Sequence, residues 1–143
     1  MGAALLLLRL IVGAAFIAHG LPKIADVAAF ARGLEVPVWL AGVAAYTEVV
    51  GGGLLILGLL TPLAALFIGV EMVVALLKVH LPAGHPFVDP RGPSFELAAV
   101  YLVVMIAFLL AGPGALSVDA WLVRQARARG EATPAPGRRR GVV

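Results

Sequence analysis

Charged side chains stand inside or at the edge of stretches that are otherwise apolar: Arg9, Lys23, Glu48, Glu71 and Glu96. Such charges do one of two kinds of work. They hold helices in register as ion pairs, or they bind ligands and move protons. Glu48 and Glu71 each fall near the middle of a long apolar run, where a carboxyl group can donate or accept a proton. Two acids for one nearby arginine is an imbalance. One glutamate is therefore expected to hold a proton, or to meet a ligand or water. His19 adds a side chain that titrates near neutral pH.

Depth decides which of these groups can meet. At ~1.5 Å rise per residue, Arg9 lies about 8 Å in from the start of its run, Glu71 about 13 Å in and Glu48 about 18 Å in from the same side. A long arginine side chain spans those differences. The expected inner cluster is Arg9, Glu71 and Glu48, taken as the catalytic set. A second cluster is expected near the outer mouth, made of His19, Lys23, Lys78, His80 and Glu96 as ligand-binding residues. His85 and Asp89 from the adjoining loop lie close by in sequence. No metal is expected, because His80, His85 and Asp89 lack a recognised ligand spacing. A haem between His19 and His80 is not expected either.

The elements that must position these residues are long helices. Four apolar runs, about 4–21, 38–60, 62–81 and 94–111, can each span roughly 30 Å of hydrocarbon at about 20 residues per helix. In the first, Arg9, Gly13, Phe16, Gly20 and Lys23 fall on one stripe at roughly 100° per residue. That stripe should face protein, since a charge facing lipid is costly. In the second, Glu48 shares a face with Ala41, Ala44, Ala45, Gly51 and Gly52, small residues that allow close helix approach. Thr61 and Pro62 make the junction of the second and third runs a tight hairpin. Asp26 can cap a short surface helix that Gly33 ends. The four prolines of PAGHPFVDPRGP exclude regular structure there. Gly112-Pro113-Gly114 stops the fourth run, and Ser117 then caps an interfacial helix over 117–130. Residues 131–143 read as a disordered basic tail.

The fold expected is an all-α membrane protein. It is an antiparallel four-helix transmembrane bundle over 1–116 with a C-terminal interfacial amphipathic helix. Composition agrees: of 143 residues, 62% are hydrophobic and only 13% charged, too apolar for a soluble domain of this size. The first run lacks the basic start and cleavage site of a signal peptide. There is no cysteine, which excludes thiol–disulfide chemistry and cysteine-bound iron–sulfur clusters in this chain. Six of the eleven basic residues follow Val123. With four crossings, that bias predicts both termini on the cytoplasmic side; the expected location is a bacterial or archaeal cell (inner) membrane, with the protein multi-pass. Membrane lipids are the expected contacts. The tail is short and free of aromatic residues, so nucleic acid is not an expected partner.

Taken together, these stretches resemble the DoxX family of small four-helix membrane proteins. The resemblance rests on Arg9-Leu10 with Gly13, Phe16 and His19-Gly20-Leu21-Pro22-Lys23. It continues through Glu48 with Gly51-Gly52-Gly53, Leu57-Gly58-Leu59-Leu60-Thr61, Ala75 with Val79-His80, and Glu96. It ends with Gly112-Pro113-Gly114, Ser117 and Asp119, and covers the chain from about Leu5 to Leu122. The family is named for a membrane subunit linked to quinone-dependent oxidation of reduced sulfur compounds. Other members are associated with membrane oxidoreductase complexes that deal with oxidative stress and thiols. Family-typical polar positions map onto Arg9, His19, Lys23, Glu48 and Glu96. Glu71 has no clear place in that pattern. The resemblance implies a quinone- or quinol-interacting subunit of a membrane redox system, with a quinone as cofactor or substrate and a membrane or cytoplasmic redox protein as partner. A homo-oligomer is compatible with it. Two other readings stand beside it: a non-enzymatic membrane scaffold or assembly factor that recruits a cytoplasmic partner, and a small-molecule or proton carrier.

Overall fold

The computed structural model describes residues 2–131. Six helices follow one another: α1 (Gly2–Ala25), α2 (Val27–Leu34), α3 (Val38–Leu57), α4 (Thr61–Ala75, continued by a π-helical turn, Leu76–His80), α5 (Glu96–Ala111) and α6 (Val118–Glu131). No strand occurs among the described residues. The stretches Gly2–Ala25, Val38–Leu57 and Thr61–His80 are each long and apolar enough to cross a membrane, whereas Glu96–Ala111 is equally apolar but shorter. Of the expected tail, only Glu131 falls within the described residues, as the last residue of α6.

Small residues set how the helices meet. The buried face of α1 is Arg9, Val12, Gly13, Phe16 and Gly20, and that of α3 includes Ala41, Ala45, Glu48, Gly51 and Gly52. A Cβ on Gly13 would lie 2.5 Å from the Gly52 carbonyl oxygen, and one on Gly52 would lie 2.6 Å from the Gly13 carbonyl oxygen. The two backbones therefore touch, as only glycine permits. Gly20 faces Ala45 and Glu48 in the same way. Residue numbers rise along α1 as they fall along α3, so the pair is antiparallel. Gly51 packs on Ile68 of α4, and Gly69 of α4 packs on Met105 of α5. Phe16, Leu55, Ile68, Met105 and Phe108 fill the core between these contacts. Large apolar side chains cover the outside, among them Ile11, Val43, Phe67 and Val103. A surface of this kind is stable in hydrocarbon and not in water.

Several ends differ from the expected ones for local reasons. Helix α1 runs past 21 through Pro22 and Lys23 to Ala25. Proline removes one backbone donor but leaves the following turn intact, as the Asp26 N–H to Pro22 carbonyl bond of 3.4 Å indicates. Asp26 caps α2 by accepting from the Ala29 N–H at 2.8 Å. The expected stop at Gly33 does not occur. Glu35, at φ 53°, is the left-handed cap, and the Val36 N–H reaches back to the Ala31 carbonyl at 3.1 Å. A helical glycine costs only about 1 kcal/mol, so it does not end a helix by itself. Helix α3 ends at Leu57, three residues short of 60, because Gly58 (φ 66°) and Leu60 (φ 49°) turn the chain left-handed into α4. Helix α5 starts at Glu96 rather than 94.

The hairpin between α3 and α4 is closed by a residue far away in sequence. Asp119, in the first turn of α6, accepts from the Leu60 and Thr61 N–H groups at 2.9 and 3.1 Å. Its own N–H donates to the Gly58 carbonyl at 3.0 Å. Ser117 caps α6, accepting from the Ala120 N–H at 3.1 Å while its hydroxyl donates to the Gly114 carbonyl at 2.7 Å. The start of α6 is thus pinned to the end of the hairpin.

Two stability predictions follow from these contacts. Gly52→Ala should lower unfolding free energy in detergent by about 1–3 kcal/mol, the range for overpacking, whereas Gly53→Ala, which meets nothing within 4 Å, should leave it unchanged or slightly raised. Asp119→Ala should cost about 1–2 kcal/mol through the lost helix cap. Thermal or denaturant unfolding in detergent checks both.

Candidate functional site

Side chains on a helix lean toward its N-terminus, and this decides how the charges sort. Arg9 leans away from the middle of α1. Its guanidinium is fully buried and donates to the Leu55 carbonyl at 3.4 Å and to the Leu116 carbonyl. Asp119 supplies the negative charge that it senses. Arg9 therefore ties α1 to the end of α3 and to the turn before α6. The expected cluster of Arg9 with Glu71 and Glu48 does not form. Counting rise alone placed the three at reachable depths, but the lean of the side chain carries the guanidinium the other way.

Lys23 leans toward the middle of α1 for the same reason. Glu48, on the antiparallel α3, leans toward it. Lys23 Nζ and Glu48 Oε1 form an ion pair and hydrogen bond of 2.5 Å. The lysine side chain keeps 29% of its exposure and the glutamate only 5%. The ammonium also sits 4.9 Å from the centre of the Phe30 ring on α2, a cation–π contact that steers it inward. Glu71, on α4, lies within electrostatic range of both Glu48 and Lys23. Glu48 Oε2 and Glu71 Oε2 are buried without a hydrogen-bond partner. Each of the two carboxyl groups thus has one buried oxygen without a donor.

The ion pair borders a cleft of about 230 Å³. Phe16, His19 and Lys23 line it from α1, Glu48 from α3, and Met72 and Ala75 from α4. His80 of the π-helical turn, Ser94, and Leu97, Ala98 and Tyr101 of α5 complete it. Tyr101 stacks against Phe16 at 4.8 Å between ring centres and lies edge-on to His19 at 6.4 Å. His80 Nδ1 and His85 Nδ1 are 3.0 Å apart, so one imidazole donates and the other accepts. The π-helical turn is what rotates His80 into this position. An extra residue in a helical turn often marks a functional position.

Of the residues expected at the outer mouth, His19, Lys23 and His80 meet in the cleft. Lys78 and Glu96 are exposed and do not line it. Glu48, assigned to the inner set, joins the outer one. His85 reaches the cleft only through His80. Asp89 accepts from the Arg91 N–H at 2.9 Å, within its own loop. Among the described residues no three potential metal ligands gather. Sequence reasoning passed over Tyr101, Leu97, Ala98 and Ser94. Leu97, Ala98 and Tyr101 share one face of α5, a regularity that was the available signal, whereas Ser94 precedes the helix. A larger groove of about 640 Å³ between α3 and α4 is walled by Trp39, Val43, Val50, Leu63 and Phe67 and carries no charged group. It has the makings of a lipid-filled groove, not of a chemical site.

The chemistry open to the cleft is hydrogen bonding and proton exchange with a small polar head held against aromatic walls. Lys23 and the histidines offer donors, and the spare Glu48 oxygen offers an acceptor, whereas Glu71 does not line the cleft. A double-mutant cycle between Lys23→Met and Glu48→Gln should give a coupling energy of about 1–2 kcal/mol, as for contacting charged residues. A coupling within about 0.3 kcal/mol of zero would mean that the pair contributes no more than a solvated surface contact.

A family model described as DoxX matches residues 4–81. The match takes in Arg9, His19, Lys23, Glu48, Glu71 and His80, and stops before Glu96 and Tyr101. An "Uncharacterized protein" of Haemophilus influenzae is 33% identical over 123 residues, covering 78% of this chain and 85% of its own. The "Putative oxidoreductase CatD" of Bacillus subtilis is 30% identical over 122 residues, covering 83% of this chain and 87% of its own. No solved structure matches the chain.

Proposed function

The chain belongs to the DoxX family and is a membrane protein, and from that premise we propose that it is a quinone- or quinol-binding subunit of a membrane redox system. The observation that carries this reading is the buried, unpartnered Oε2 of Glu48 beside the Lys23 ammonium in an aromatic-walled cleft. A quinol hydroxyl fits an accepting carboxyl oxygen, and a quinone carbonyl fits the ammonium or an imidazole donor. Phe16 and Tyr101 provide flat apolar walls for a ring. Similarity to a relative named as an oxidoreductase points the same way.

The residues divide the work. Lys23 and His19 orient the polar end of the head. Glu48 takes or returns its proton, and Glu71, within range of the same charge, passes it on. His80 and Ser94 close the cleft toward the loop and keep water from the exchange. A bound quinone would supply two-electron, two-proton chemistry, with its electrons coming from or going to a partner redox protein. Arg9 has a structural role in this account: it secures α1 and the start of α6 and takes no part in proton exchange.

In the same reading, α1, α3, α4 with its π-helical turn, and α5 form four antiparallel transmembrane spans. The bilayer thins locally to fit the shorter α5. Helix α6 lies at the interface with Trp121 and Leu122 toward lipid. The arginine-rich C-terminal end supports a cytoplasmic side for both termini, in the membrane of a bacterial or archaeal cell. The cleft then opens near the outer leaflet.

The test is mass spectrometry of small molecules that copurify with the protein in native lipid particles. Wild type should carry a quinone or quinol, and the amount should fall about tenfold or more in Glu48→Gln and in Lys23→Gln variants that unfold at the wild-type temperature. Bulk lipid alone in all three samples would contradict the reading.

A further inference from the structure

Two walls of the cleft beside Lys23 are closed by packed residues. Glu48, Met72 and Ala75 form its back. His80 and Ser94 cover its loop end, and the loop is tied down there. His80 bonds His85 through the two Nδ1 atoms at 3.0 Å, the His85 N–H donates to the His80 carbonyl at 3.1 Å, and the Phe95 N–H donates to the Pro86 carbonyl at 3.1 Å. The Phe87 and Phe95 rings pack 5.3 Å apart. Entry from that end would have to break all of these.

A further side is the seam between α1 and α5. Each of these helices packs mainly on its own neighbour, α1 on α3 and α5 on α4. Along the cleft they meet through rings, Tyr101 against Phe16 and His19. His19 and Leu97 form the two lips. Both are exposed, Leu97 by 51%, whereas Phe16 at 1% and Ala98 at 8% lie buried behind them. Beyond the lips the outer faces of the two helices are apolar: Ile11 on α1, and Val100 and Val103 on α5, all exposed. On a membrane protein, those faces are in contact with lipid. The cleft therefore opens sideways toward hydrocarbon.

We infer that the cleft takes a lipid-borne amphiphile. Its head carries a hydroxyl donor for Glu48 Oε2, and its apolar chain leaves through the α1–α5 seam between His19 and Leu97. This rests on the reading of the cleft as a ligand site, but not on the head being a quinol. The shared chemistry is a hydroxyl-bearing head on an apolar chain, and both a prenylated quinol and a glycerol-headed lipid supply it. The unpartnered Glu48 oxygen is buried while the lip residue Leu97 is apolar and exposed, an order that suits a ligand with its head inward and its chain in lipid.

The experiment uses a 4-alkylphenol with a diazirine in its chain, added to the full-length protein in phosphatidylcholine nanodiscs. After illumination, adducts are mapped by peptide mass spectrometry. Adducts concentrated at residues 15–19 and 97–101, and displaced by excess long-chain benzoquinol or by phosphatidylglycerol, are the expected result. The effective competitor identifies the source of the head. Displacement by phosphatidylglycerol alone would uphold the seam and count against the quinone reading. The Leu97→Trp variant fills the seam from an exposed position. It should lower seam labelling about tenfold with an unchanged unfolding temperature. Adducts on the 81–95 loop, adducts spread evenly over the lipid-facing helices, seam adducts that neither competitor displaces, or labelling untouched by Leu97→Trp would each overturn the inference.

Discussion

The antiparallel contact of α1 with α3 is the constraint on which the remaining structure depends. Gly13 and Gly52 let two backbones touch, and that touch fixes both the register and the distance of the pair. In hydrocarbon there is no hydrophobic drive between helices, so close packing of this kind carries the association. Once the register is fixed, every polar group on the two helices has a fixed opposite. Gly20 sits over Glu48. Lys23, one turn further, is brought to the carboxylate. Arg9, about three turns the other way, is brought to the C-terminal end of α3.

The charges then have separate destinies that follow from one rule, the lean of helical side chains toward the N-terminus. Arg9 goes to one end of the fold, where its donors meet the main-chain carbonyls of Leu55 and Leu116. It works there with Asp119, which caps α4 across a separation of nearly sixty residues. Lys23 goes inward and meets a carboxylate that has only one of its oxygens satisfied. One end of the molecule is thus tied together by long-range hydrogen bonds, although Arg9 Nε and Thr61 Oγ1 are buried there without a partner. What sets the other end apart is that its unpartnered Glu48 oxygen lies beside a cleft.

Much of this was legible in the sequence, and the exceptions have physical causes. The apolar runs, most of the buried stripe of α1 and most of the small-residue face of α3 follow from helical periodicity and are found in the structure, with the ends of the runs shifted, the fourth run shorter than the others, and Lys23 and Ala44 only partly buried. The Ser117 and Asp26 caps were visible because capping is local. The pairing of Arg9 with the glutamates was misjudged, because depth along a helix is linear in residue number but the reach of a long side chain has a direction. Lys78 and Glu96 were grouped with the site because they are near it in depth, yet they point outward around their helices. The π-helical turn at 76–80 shifts the angular position of His80, and no propensity in LLKVH announces it. Asp119 capping a hairpin far back in the chain is a tertiary contact, which one sequence can suggest only by the residue type.

The central claim is that Glu48, held by Lys23, has an accepting oxygen that a ligand hydroxyl fills. Infrared difference spectroscopy of the protein in nanodiscs, with and without a short-chain benzoquinol, tests this most directly. Filling that oxygen should shift a carboxyl band of the wild-type protein, and the shift should vanish in Glu48→Gln while persisting in Glu96→Gln. A band change that survives in Glu48→Gln, or no ligand-induced carboxyl change at all, would contradict the account.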